Sequence, residues 1–150
     1  MVLDAVLAYF HFVAIFMLFA YLVAESMIIK RPLDATTIRR LGKIDLIYGG
    51  MAVAVLITGF LRLAYGAKGA DFYLQSWPIY VKVGLLLLVG IISVYPTLAF
   101  VRWRRYLDHD PAWQVPPDEQ RRMRRLITIE LHLAGMIPVF AVVMSRGLGH

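Results

Sequence analysis

Five titratable side chains stand inside otherwise apolar runs: His11, Glu25, Lys82, Glu130 and His132. In hydrocarbon such a group costs roughly 2.5–3.5 kcal/mol on insertion scales, so it turns toward a protein interior or a polar partner and becomes a candidate for chemistry. His11 has the widest repertoire. A neutral imidazole there donates to a neighbouring helix, ligates a metal or haem iron, or passes a proton. Lys82, near one end of its run, either snorkels to the interface or turns inward and offers positive charge to a propionate or another anion beside His11.

Spacing narrows these roles. Glu25 follows His11 by 14 residues, which leaves the two about 40° apart on one helix face and about 21 Å apart in height. They share a stripe and not a site. Glu25 lies close to Lys30 and Arg31, so an ion pair at the helix end is expected for it. Glu130 and His132 are two residues apart, hence about 200° around a helix, and cannot both enter one pocket. Pairing of Glu130 with Arg124 or Arg125 leaves His132 as the one expected to face inward. In the second run Tyr48, Ala52, Val55, Gly59 and Arg62 recur at helical spacing. That stripe of small residues between a phenol and a guanidinium suits a flat ligand or a closely packed helix equally.

The elements that must carry these residues follow from composition. The 150-residue chain is 60% hydrophobic and 17% charged, with a mean hydropathy of +0.67, outside the range of soluble domains. Apolar runs cover about residues 3–29, 46–65, 79–101 and 126–144, each near the roughly 20 residues that a helix needs to cross a hydrocarbon layer of about 30 Å. In lipid the backbone must be satisfied within a segment or in a closed barrel, and runs this long do not suit barrel strands. The expected fold is all-α: one integral membrane four-helix bundle over residues 1–150. Asp34 before Ala-Thr-Thr, and Pro116-Pro117 before Asp118 and Glu119, read as helix starts. Pro96 and Pro138 fall inside the third and fourth runs and are expected to bend them. The first run has no basic flank and is too long for a cleaved h-region, so it is expected to be retained.

Charge placement sets the expected orientation. Of the 16 Lys and Arg, Lys30, Arg31, Arg39, Arg40 and Lys43 fall in the first connection and Arg102, Arg104, Arg105, Arg121, Arg122, Arg124 and Arg125 in the third. The middle connection holds only Arg62 and Lys68. The positive-inside rule then puts both basic connections in the cytoplasm and both termini on the non-cytoplasmic side. The basicity serves topology and contact with anionic headgroups; no stacking or groove-reading motif accompanies it, so nucleic acid is not an expected partner. The outer loop "GAKGADFYLQSW" brings Tyr73 and Trp77, with Tyr80, to an interfacial aromatic belt.

The chain has no cysteine, which excludes disulfides, thiolate metal sites and cysteine nucleophiles. It contains no H-E-x-x-H, G-x-S-x-G or Walker loop. Two intramembrane histidines on different helices do fit haem b, which takes axial imidazoles, an apolar wall and cationic groups for its propionates. His11 and His132, counted in from opposite faces, differ in depth by about 7 Å across a 30 Å core. A haem shared between them needs a tilted helix or a ligand elsewhere.

The stretches "YFHFVAIFMLFAYLVAE", "LGKIDLIYGGMAVAVLITGFLRL", "GAKGADFY" and "WPIYVKVGLLLLV" resemble a bacterial family of predicted membrane proteins of unknown function, across essentially the whole chain. More remotely, His11 on the first helix and Lys82 of "WPIYVK" on the third resemble the HemJ-type protoporphyrinogen oxidases and the CopD-like copper-resistance membrane proteins. The HemJ resemblance implies a helical membrane bundle with bound haem b that oxidises a porphyrinogen, His11 and Lys82 being the functional positions. The chain departs from it at "SVYPT", where a histidine is often found. A CopD-like role needs Met or His ligands clustered on the outer side, for which Met1, His11, Met144 and His150 are available.

The expected function is haem b binding within the bundle of a bacterial inner-membrane protein, in electron transfer or protoporphyrinogen oxidation. His11 is the expected axial ligand, His132 the second, with Tyr48 lining the cofactor and Arg62 and Lys82 near a propionate or substrate carboxylate. Two alternatives stand beside it: a cofactor-free accessory subunit of a larger membrane complex or homo-oligomer, and transport of a proton or metal ion with His11 and Glu25 as stations.

Overall fold

The structure, a computed structural model, describes residues 2–65, 75 and 77–146. Four helices make the fold: α1 Val2–Ile28, α2 Ala35–Tyr65, α3 Trp77–His109 and α4 Pro117–Ser145. No strand occurs among the described residues. All four are long and apolar enough to cross a membrane, as the apolar runs predict. They pack in chain order as a ring. The α1–α2 and α3–α4 hairpins have long interfaces, the hairpins meet through shorter α2–α3 and α1–α4 contacts, and neither diagonal pair approaches closely. One end of the ring carries the termini; the other, the basic end, carries the connections 29–34 and 110–116. Tyr73 and Lys68 of the outer loop, and Met1 and His150 of the CopD-like set, lie outside the described residues, as does the side chain of Met144.

Local chemistry sets the helix ends. Oδ1 of Asp34 accepts from the Thr37 N–H at 2.7 Å, and its carbonyl accepts from the Ile38 N–H at 3.0 Å, an N-cap for α2. The Thr37 donors hold the Asp34 carboxyl below its usual range. Pro117 opens α4, with Asp118 and Glu119 in its first turn, where a fixed φ and negative charge both suit a helix start. The connection after α1 is tied to α4: Gln120 Nε2 donates to Ile29 O at 2.9 Å and to Arg31 O at 3.0 Å.

At 31 and 33 residues, α2 and α3 are about 46 and 50 Å long, well beyond a hydrocarbon layer of about 30 Å. The excess lies at the basic end, because the apolar runs stop there. Several large buried side chains lie in or next to the same layer: Ile29, Ile38, Leu41, Phe100, Trp103, Leu107, Met123 and Ile127. Ties between helices concentrate there too. Arg39 pairs with Asp108 at 2.8 Å, and Glu119 receives both Arg102 and the Trp103 indole N–H, the latter at 3.1 Å. Through the apolar zone the interior is narrower, built from Ala14, Leu18, Val55, Val89 and Ala134, while Phe16 (74% exposed), Phe60 (69%) and Ile91 (64%) point outward. Large apolar side chains directed away from the core are what a lipid solvent permits and water does not.

Candidate functional site

The polar residues of the interior form two groups, one in the half that carries the termini and one toward the basic end. Each group stands on stripes that the helices bury. On α1 the stripe runs His11, Ala14, Leu18, Leu22, Glu25; on α2 it runs Ile38, Leu41, Asp45, Tyr48, Val55, with Gly59 and Arg62 continuing it.

In the first group, His11 Nδ1 lies 2.8 Å from Thr58 Oγ1. The Thr58 hydroxyl has one proton, and its 2.6 Å contact with the Ala54 carbonyl consumes it. Nδ1 of His11 is therefore the donor, and Nε2 keeps its lone pair. Gly59 gives the ring its seat: a β-carbon there would stand 3.3 Å from His11 Cε1. The small-residue stripe of α2 is thus filled by the neighbouring helix at this level. The Arg62 guanidinium lies 5.6 Å from the centre of the Phe12 ring, and its Nε is buried with no hydrogen-bond partner. Lys82, partly buried on α3, acts electrostatically on both His11 and Arg62. Neither cation forms an ion pair among the described residues. His11, Arg62 and Lys82 thus form one polar group, an imidazole near two cations that form no ion pair among the described residues.

The second group is acidic. Glu25 of α1 (1% exposed), Asp45 of α2 (6%) and Glu130 of α4 (1%) are buried, and each lies within electrostatic reach of another. Thr97 of α3 donates to Asp45 Oδ1 at 2.9 Å, so all four helices contribute. Tyr48, also buried, acts on all three carboxyl groups. Glu25 Oε2 and Glu130 Oε1 have no hydrogen-bond partner.

Several expectations need correction. Glu25 does not pair with Lys30 or Arg31, and Glu130 does not pair with Arg124 or Arg125; both are buried against other acids. His132 is exposed, and its Nδ1 meets the Thr128 carbonyl of its own helix at 2.7 Å. The two-residue geometry holds, but it is Glu130 that faces inward, because α4 buries Met123, Ile127, Glu130 and Ala134, a stripe His132 misses. Tyr48 stands 14 residues from Arg62, about 21 Å along α2, among the acids and not beside His11. The structure brings together His11, Arg62 and Lys82 and leaves Tyr48 and His132 elsewhere. Sequence reasoning missed Asp45, Thr58 and Thr97. Asp45 was legible in principle, since the α2 stripe extends back from Tyr48 by three residues to reach it. Among the described residues no group of three or more His, Cys, Asp or Glu is arranged to hold a metal ion.

Four helices, each long and apolar enough to cross a membrane, with polar groups set between them, define an α-helical multi-pass membrane protein. The chain belongs to the family described as predicted membrane protein DUF2214, whose model matches residues 3–149. No curated protein and no solved structure matches it.

Proposed function

We propose that this protein binds haem b in the half of the bundle that carries the termini and acts in redox chemistry, either electron transfer or porphyrinogen oxidation. The observation that carries the reading is the orphaned Nε of Arg62 beside Lys82 and a histidine fixed through Nδ1. An imidazole whose Nδ1–H is engaged presents Nε2 as a ligand, and two cations without carboxylate partners suit propionates. His11 would ligate the iron; Arg62 and Lys82 would hold the carboxylates. Bound there, haem supplies one-electron chemistry that no side chain of this chain supplies. His132, exposed on α4, is not a partner of His11 in this reading. The resemblance of His11 and Lys82 to the HemJ-type positions points the same way.

In this reading the protein lies in the bacterial inner membrane with its termini outside, an orientation supported by its basic connections through the positive-inside rule. Protein purified in detergent from haem-replete cells should show a Soret band that is lost in His11→Ala. Folded, colourless wild-type protein would sink the reading.

The accessory-subunit alternative is favoured by a separate observation. Gly49, Gly50, Gly84, Gly90 and Gly135 face open space, with nothing within 4 Å of a β-carbon built on each. Such faces admit close approach by another transmembrane helix. Cross-linking in native membranes followed by mass analysis of the product tests it. Transport through His11 and Glu25 is the least supported, because Ala14, Leu18 and Leu22 interrupt the stripe between them.

A further inference from the structure

We infer that Glu25, Asp45 and Glu130 form a proton-binding site in which carboxyl groups of three helices hold at least one proton at neutral pH. The inference goes beyond the redox reading and uses none of its residues, so haem-free protein tests it equally.

Each ionised carboxylate taken from water into a protein interior costs several kcal/mol unless a cation and hydrogen bonds repay it, and among the described residues no cation pairs with these three acids. The neighbouring basic groups are known. Lys30 and Arg31 are exposed beyond the end of α1, Lys43 is exposed on α2, and Arg124 and Arg125 are exposed on α4. On α3, Arg104 lies across Gly42, its Cδ 3.0 Å from a β-carbon built there. None of them forms an ion pair with the three acids. The cluster must therefore be neutralised from solution, by metal cation or by proton. Among the described residues the three carboxyl groups are not arranged as a metal site, whereas a proton needs no such geometry.

Two further observations point to an occupant. The free oxygens Glu25 Oε2 and Glu130 Oε1 have no partner, although a buried polar atom left unpaired costs about 1–3 kcal/mol. Tyr48, buried at 4% exposure, lies within electrostatic reach of all three acids and makes no hydrogen bond among the described residues. Thr97 supplies a donor to Asp45; donors for the other acids must come from carboxylic O–H groups or from water. A hollow of about 380 Å³ between the end of α1 and the start of α4 is lined by Ile29, Lys30, Gln120 and Arg124, and Ile29 is one helical turn from Glu25. On loading, a proton from water adds to a carboxylate oxygen; on unloading it returns. No other bond changes.

Infrared spectroscopy of the full-length protein in lipid bilayers reads this directly. Wild type at neutral pH should show a carboxylic-acid C=O band that shifts in D2O, and Glu25→Gln and Glu130→Gln should each lose part of its intensity. Selective isotope labelling of Glu and then Asp carboxyls in wild type assigns the band even where a variant does not fold. Absence of any such band at neutral pH, a band untouched by label and substitution alike, or a band abolished by adding sodium at constant pH would each overturn the proposal, the last by identifying a metal cation as the occupant.

Discussion

His11 reaches across the α1–α2 interface to Thr58, nitrogen to hydroxyl oxygen, at 2.8 Å, and the Thr58 hydroxyl donates a hydrogen bond to the Ala54 carbonyl at 2.6 Å. The chain of donors fixes the ring's tautomer. Thr58→Val keeps the shape and removes the acceptor, leaving a buried N–H unsatisfied at a cost of about 1–3 kcal/mol. Thermal unfolding in detergent should show that loss, and Thr58→Ser should restore it. In haem-replete preparations the Val variant should lose cofactor roughly 10–100-fold, the usual scale for a partner behind a ligating histidine. Equal haem content in the Val and Ser variants would refute the role given to Thr58.

Two glycines of α2 separate crowding from helix propensity. Alanine in place of glycine gains roughly 1 kcal/mol in a helix interior. At Gly42 the added β-carbon meets Arg104 Cδ at 3.0 Å, the stem of a flexible side chain that can swing aside, so Gly42→Ala should be neutral or stabilising. At Gly59 the obstacle is the His11 ring at 3.3 Å, which is hydrogen-bonded and cannot move without breaking its contact. Gly59→Ala should therefore lose stability relative to Gly42→Ala, and melting curves of the two variants decide it.

The Asp34 cap carries a pH signature. Its carboxyl is held below the ordinary range by hydrogen bonds from Thr37, so its folded value lies below its unfolded one. The stability it contributes is complete above the unfolded value and disappears as pH falls through the folded one. Asp34→Ala should lower the unfolding temperature at neutral pH and make no difference in strong acid, where wild type has already lost the cap. Asp34→Asn should retain most of it. A constant offset between wild type and Asp34→Ala at all pH values would contradict the assignment.

Trp103 is fully buried and donates to Glu119 at 3.1 Å. Trp103→Ala should cost about 3–5 kcal/mol, the range for emptying an aromatic site in a packed core. Trp103→Phe should cost much less, because Arg102 still holds Glu119. Denaturant titration of the two variants measures the gap.

The four-helix membrane architecture was readable from hydropathy alone, because length and apolar character are properties of a whole segment. The site was less so, for reasons that particular residues make clear. Asp45 was hidden by the boundary at Leu46: hydropathy marks where lipid begins, whereas α2 begins eleven residues earlier, at Ala35. Once the helix is extended, Asp45 falls in register with Leu41 and Tyr48. Glu130 and His132 were correctly set on opposite faces, but expecting the acid to seek arginines overrode the stripe Met123, Ile127, Ala134 that selects Glu130. Thr58 and Thr97 act through contacts with other helices, and spacing within one helix carries no trace of those.

Orientation can be read with one cysteine, since the native chain has none. Gln114 is exposed in the connection between α3 and α4. Gln114→Cys in intact bacterial cells should resist a membrane-impermeant thiol reagent and react after permeabilisation. Labelling of intact cells would place the basic connections outside.

The overrun of α2 and α3 beyond the apolar zone means that one continuous bundle is dissolved in two media at once. Its lipid-embedded part answers to detergent chain length and bilayer thickness, whereas the layer around Trp103 and Leu41 answers to urea. Denaturation should proceed from the aqueous layer first and in more than one stage, so a single melting temperature will describe the end that water reaches and understate the persistence of the rest.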